Sequence, residues 1–75
     1  MDQFKVMHDA ELVQTIDQRD YTSWEEALAA AQHEAWCAYD YARSQGEDDP
    51  VVTVDLYEND RFVEVEWTVP PAESR

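Results

Sequence analysis

His33 and Cys37 stand four residues apart, and Asp40 follows three later. On a helix this spacing gathers an imidazole, a thiolate and a carboxylate on one face, a donor set that suits zinc. A closed zinc site needs a fourth group or water, and the chain has no second Cys/His pair, since Cys37 is its single cysteine. The three therefore read as a solvated helix face. Catalysis by Cys37 with His33 as base would also need an oxyanion hole, which one exposed helix face does not supply. Asp55-x-Tyr57-x-Asn59, with Glu66 at the twelfth position, echoes a calcium loop. Tyr57 stands where a ligand is wanted, and Asp60 replaces the glycine that the sharp turn requires. Glu47-Asp48-Asp49 is three adjacent acids without fixed geometry. His8, near Asp9 and Glu11, reads as a structural or solvated strand-end histidine. Acid–base work by paired carboxylates needs a cleft that tunes their pKa values apart, and a hairpin face of acids has none. The chain is expected to be no enzyme and to hold no cofactor or metal.

The elements that position these residues follow from periodicity. Val51 to Val69, VVTVDLYENDRFVEVEWTV, reads as one hairpin around Asn59-Asp60, residue types that tolerate positive φ. Pairing Glu58 with Arg61 sets Leu56 against Val63, Val54 against Val65 and Val52 against Trp67 on an apolar face. The other face then pairs Tyr57 with Phe62, Asp55 with Glu64, Thr53 with Glu66 and Val51 with Thr68. Asp55 opposite Glu64 is a like-charge pair, a destabilising arrangement, expected to raise the pKa of the pair. Near the N-terminus, Phe4, Val6, Leu12 and Ile16 all fall at even positions, a strand signature broken at His8-Asp9-Ala10. Two short strands near 3–8 and 11–17 are expected, joined through a polar Asp17–Tyr21 link to a helix.

Ser23-Trp24-Glu25-Glu26 is a capping box, with the Ser23 hydroxyl on the Glu26 amide and the Glu26 carboxylate reaching back. The alanine-rich run behind it carries the helix to about Gln45, where Gly46, the only glycine, supplies a left-handed cap. Trp24, Leu28, Ala31, Ala35, Ala38, Tyr39 and Ala42 form the inward stripe, with Trp36 and Tyr41 on opposite flanks. The fold class is α+β with the order β(β)αββ: an antiparallel sheet of three to four strands and one long helix packed across one face. Residues 1–75 form a single acidic domain, and 70–75, after the strand stop at Pro70-Pro71, a frayed tail. The helix covers Val52, Val54, Leu56, Val63, Val65 and Trp67, and the opposite sheet face stays wet.

Charge is the outlier of the composition. Eighteen acids against five bases leave −13 at pH 7 in a chain that is 44% hydrophobic. An acidic disordered segment would be poor in apolar residues, so this is a folded domain with an acidic surface. Such a surface repels nucleic acid and anionic membrane and attracts basic proteins. No apolar run is long enough to span a membrane, and MDQFKVMHD is unlike a signal peptide, so a cytoplasmic location is expected. In the hairpin, Asp55, Glu58, Asp60, Glu64 and Glu66 surround the outward pair Tyr57–Phe62. Glu64 and Glu66 are expected about 7 Å apart along one strand face. A row of charges at that spacing offers a basic groove something like a phosphate backbone, and an aromatic pair with a charged rim suits an interface anchor. A second acidic surface runs over the helix through Glu26, Glu34 and Asp40 and on to Glu47, Asp48 and Asp49.

In size, charge, element order and the Ser23-Trp24-Glu25-Glu26-Ala27-Leu28 helix start followed by an acid-studded hairpin, the chain resembles the small acidic anti-defence proteins of phages and mobile elements. These are the anti-CRISPR and anti-restriction DNA mimics. The resemblance covers most of the chain at the level of class and carries no residue over by position. It implies an inhibitor that binds a basic nucleic-acid-binding protein, such as a CRISPR effector complex, and blocks its DNA or RNA site. If phage-encoded, the protein would act in the host cytoplasm. Two alternatives remain open: an acidic protein–protein adaptor or dimerisation module, with Trp36 and Tyr41 serving a homodimer, and a salt-adapted domain whose acids only solubilise.

Overall fold

Residues 2–69 are described in a computed structural model; the expected tail and the Pro70-Pro71 stop lie outside the described residues. Two hairpins flank one helix along the chain. The elements are β1 (Asp2–His8), β2 (Glu11–Asp17), α1 (Trp24–Ser44), β3 (Val52–Glu58) and β4 (Arg61–Val69), with a single 3-10 turn at Gln18–Asp20. The strands form one antiparallel sheet in the order β2-β1-β3-β4. The fold is α+β, and both N-terminal segments are strands. Because β2 and β3 each run antiparallel to β1, they are parallel to one another. Two parallel strands need a crossover, and α1 is that crossover, laid over β1.

The helix begins where its cap predicts. Ser23 is extended at φ −148°, and its Oγ accepts from the Glu26 amide at 3.1 Å. The Glu26 carboxylate reaches back one residue further than a capping box requires, to the Thr22 amide at 3.2 Å and the Thr22 hydroxyl. Those bonds hold the Glu26 carboxyl below the usual carboxylate range. At the other end Gly46 adopts φ +100°, donating its N–H to the Arg43 carbonyl at 3.0 Å. This left-handed geometry suits glycine because a Cβ would crowd the backbone.

The inward stripe of α1 is the expected one with Ala27 added and Trp24 moved to its margin. Ala27, Ala31 and Ala35 are fully buried, Ala42 nearly so, and Leu28, Ala38 and Tyr39 pack partly against the core. Trp24 sits at the margin, edge-on to Phe4 at 5.5 Å, and stays 40% exposed. Alanine at every fourth position lets the helix lie close on the sheet, so the volume comes from the other side: Phe4, Val6, Ile16, Val52, Val54, Leu56 and Val69. The helix lies over β1, β2 and β3 and only grazes β4.

The register of the second hairpin corrects the expected one. Glu58–Arg61 and Tyr57–Phe62 pair as expected around Asn59 and Asp60, both at positive φ. The pairing then slips twice. Leu56 faces Glu64, Asp55 faces Val65, Val54 faces Trp67, Thr53 faces Thr68 and Val52 faces Val69. Val63 and Glu66 are the extra residues, each the bulge of a strand that runs two residues longer than its partner. The expected pairs Leu56–Val63, Val54–Val65, Val52–Trp67, Asp55–Glu64, Thr53–Glu66 and Val51–Thr68 are therefore absent. Val63 and Val65 are not covered by the helix; they are 45% and 48% exposed. β2 slips likewise at Val13, which turns Leu12 out beside Met7. Both sheet edges are bulged, a device that discourages strand addition by another chain.

Candidate protein-interaction surface

One surface collects most of the predicted aromatic and hairpin residues. On the sheet face away from α1, Lys5 of β1 stands directly opposite Asp55 of β3, which stands opposite Val65 of β4. One step towards the β3–β4 turn, Tyr57 and Phe62 meet edge-on at 5.8 Å and 75°. The Lys5 ammonium lies 4.3 Å above the Tyr57 ring, a cation–π contact. Phe62 is 53% exposed, Val65 opposite Asp55 is half-exposed on the same face, and the bulge residue Val63 between them along β4 is half-exposed too. The face is thus apolar and aromatic at its centre and locally near neutral. Asp55 is half-buried there, and its Oδ1 has no hydrogen-bond partner.

The acids lie around this face rather than across it. Glu58 and Asp60 hold the turn, with Asp2 opposite Glu58 as the like-charge pair that the strands do contain. The bulge at Glu66 breaks the strict alternation that would set Glu64 and Glu66 on one strand face, so the expected row does not form. Partial desolvation first, and then the Glu64 hydrogen bond and charge, push the Glu66 carboxyl above its ordinary range. The like-charge effect expected at Asp55–Glu64 is therefore found one bulge away. By its pairing with Leu56, Glu64 points to the helix side, at the margin α1 leaves uncovered.

The other predicted residues lie elsewhere. Glu34 and Asp40 are on the outer side of α1, half-buried and exposed. Glu47, Asp48 and Asp49 lie beyond the helix C-terminus, at the end of the sheet holding the β1–β2 turn. The length of β3 separates them from the Tyr57–Phe62 end by about 20 Å. The structure therefore gives two acidic ends and an apolar face, not one continuous acidic groove. His33 and Cys37 do approach, with Nε2 and Sγ 3.8 Å apart on the exposed helix surface. Trp36 packs edge-on to Trp67 at 6.2 Å and to Tyr39 at 5.8 Å, closing the gap where the helix edge meets β4. Tyr41 is the more exposed flank at 68%.

Two bases near this surface, Arg19 and Lys5, are already engaged. Arg19 forms a two-pronged pair with Asp17, with its NH2 group 2.8 Å from Oδ2, and these bonds lower the Asp17 carboxyl to about 2. Arg61 faces Glu58, and Lys5 is over Tyr57. Among the described residues the surface has no pocket, so any partner meets a face and not a cleft. No helix of the described residues is long and apolar enough to cross a membrane.

Three residues escaped the sequence reading: Lys5, which neutralises the face, and Val63 and Val65, which line it. The sequence carries no signal for this: only the pairing of seven β3 residues across nine of β4 reveals the two bulges, each moving side chains to the opposite face. No family model matches the chain, and no curated protein or solved structure matches it either.

Proposed function

We propose that the protein binds a basic, nucleic-acid-handling protein and occupies the surface that partner uses for DNA or RNA. The observation that carries this is the half-exposed Phe62–Val63–Val65 cluster beside Tyr57, set at the end of a chain of net charge −13. An exposed aromatic and aliphatic patch supplies affinity when a partner desolvates it, while surrounding charge supplies steering and selectivity. Here the acids are Asp60 at the turn and Glu66 on β4, with Asp2, Glu58 and Glu64 on the helix side of the same sheet end, a charge that complements a basic groove. Contact then consists of an apolar anchor beside these acids, rather than a copied row of phosphates. The partner class extends to CRISPR effector complexes, which the resemblance to anti-defence proteins implies.

The test is capture from bacterial lysate by the immobilised chain, followed by challenge with duplex DNA. The expected result is retention of nucleic-acid-binding complexes, their release by added DNA, and loss of retention with Phe62→Ser/Val65→Ser. A ternary complex with DNA still bound at its own site would contradict the blocking role. An adaptor is the second reading, supported by the near-neutral centre where Lys5 stands opposite Asp55. An adaptor would hold its partner through the same double-variant-sensitive face while added DNA displaces nothing.

A further inference from the structure

At the opposite end of the sheet, three side chains from separate segments converge. His8 ends β1, Asp9 begins the β1–β2 turn and Glu47 follows the helix cap, 39 residues along from His8. His8 Nε2 lies 3.2 Å from each carboxylate oxygen of Glu47 and 3.5 Å from Asp9 Oδ2. One ligand atom from each of the three falls within 4.8 Å of the others.

We propose that His8, Asp9 and Glu47 form a binding site for a divalent first-row transition-metal ion of the zinc type. An imidazole nitrogen carries at most one proton; its N–H can bridge the two Glu47 oxygens, but it then leaves the Asp9 carboxylate beside the same nitrogen unserved and facing a second negative charge. A dication satisfies all the donors at once. Ligands about 2.1 Å from a tetrahedral ion stand about 3.4 Å apart; the two separations from His8, 3.2 and 3.5 Å, bracket that value, and the three atoms together lie within 4.8 Å. One nitrogen with two carboxylates selects a borderline ion over magnesium, which prefers all-oxygen octahedra.

The backbone already holds the ligand-bearing segments in place. The Asp9 amide donates to the Val51 carbonyl at 3.0 Å, and the Glu47 amide donates to the Ala42 carbonyl at 3.2 Å. His8 is mostly covered at 24% side-chain exposure, while Asp9 and Glu47 are 56% and 42% exposed. The site is thus built inward and open outward, leaving the remaining coordination to water. A bound ion would tie the first hairpin to the helix C-terminus. This inference is independent of the proposed partner contact at the other end of the sheet.

The test is isothermal titration of the chelator-stripped full chain with zinc chloride and with magnesium chloride, alongside thermal melting. All variants carry Cys37→Ser, which removes the His33–Cys37 pair as a competing zinc site. One zinc per chain is expected, with a melting temperature that climbs as zinc is added and no response to magnesium. His8→Gln and Glu47→Gln should each weaken zinc binding by about tenfold or more, since losing a ligand costs at least what losing an outer-shell partner does. Glu47→Gln lies in an exposed loop and keeps the test open if His8→Gln impairs folding. Absence of one-to-one zinc binding by the Cys37→Ser chain, or equal binding by that chain and by Cys37→Ser/Glu47→Gln, would overturn the proposal. The cluster would then be only an ion pair, or the zinc would be held by Asp48 and Asp49.

Discussion

The two hairpins are built alike and used differently. Each joins its strands by a two-residue turn with both residues at positive φ, Asp9-Ala10 in the first and Asn59-Asp60 in the second. Each carries its bulges on the outer strand, at Val13 in one and at Val63 and Glu66 in the other. The first hairpin is tied down. Helix α1 lies over both of its strands, His8 reaches Glu47, and the Asp9 amide bonds Val51. The second contributes β3 to the core and carries β4 out beyond the helix edge. There Phe62, Val63 and Val65 stand about half-exposed. The helix, the first hairpin and β3 supply nearly all of the core, which leaves the outward side of β4 open for contact.

The largest test of this division is a pair of phenylalanines. Phe4 is wholly buried under α1, and Phe62 lies on the open face. Phe4→Ala should cost about 3–5 kcal/mol, comparable to everything a single core of this size supplies, and leave the chain unfolded. Phe62→Ser should change stability by under about 1 kcal/mol. Urea melts of the two variants check this. Equal losses would mean that the second hairpin's face is structural and the comparison fails. The next effect in size concerns the helix seat. Ala31→Leu places a large side chain at a fully buried contact and should cost about 1–3 kcal/mol through overpacking.

The turns give a smaller and more particular contrast. Ala10 sits at φ 70°, in the left-handed region where a Cβ is unfavourable by about 1–2 kcal/mol. Glycine relieves that strain but loses more chain entropy on folding, so Ala10→Gly should stabilise by about 0.5–1 kcal/mol. Asn59 at φ 51° is a residue that accepts this region, and Asn59→Gly should leave stability within a few tenths. A gain at Asn59 matching that at Ala10 would show the turns to be strained alike.

The smallest expected effect is in pH. The raised Glu66 carboxyl destabilises the fold while ionised, so stability should increase as pH falls through its folded pKa. Asp17 acts in the other direction. Its carboxyl is lowered to about 2 from 3.8, so its contribution is present above 3.8 and is lost as pH falls towards 2. Thermal melts should therefore be highest in mild acid, and Glu66→Gln should flatten the rise on the neutral side. An unchanged rise in Glu66→Gln would assign it to the general acidic surface.

Much of the architecture was legible because several local signals agreed. Ser23, Glu26 and Gly46 bound the helix, Asn59-Asp60 marked the second turn, and the break at His8-Asp9-Ala10 divided the first two strands. What misled was parity. Val63, Val65, Trp67 and Val69 alternate without fault, and an uninterrupted period of two reads as one inward face. A single bulge inverts that assignment without altering composition, and two of them moved Val65 out while returning Trp67 and Val69 to the core. The helix stripe was legible except at its start, where consecutive alanines at 29, 30 and 31, after Ala27, give no contrast between faces and Ala27 takes the buried place expected of Trp24. The His8–Glu47 approach has no local signature, because only the β2-β1-β3-β4 order brings the end of β1 beside the helix C-terminus.

The central claim is that the open face of the second hairpin binds while the rest of the molecule folds. It is tested most directly by measuring partner retention and urea stability together for wild type, Phe62→Ser/Val65→Ser and Ala10→Gly. The account predicts a double variant that melts close to wild type yet retains no partner, and an Ala10→Gly chain that is more stable and retains it fully. A double variant that unfolds, or one that stays folded and still captures the same partner, would contradict it.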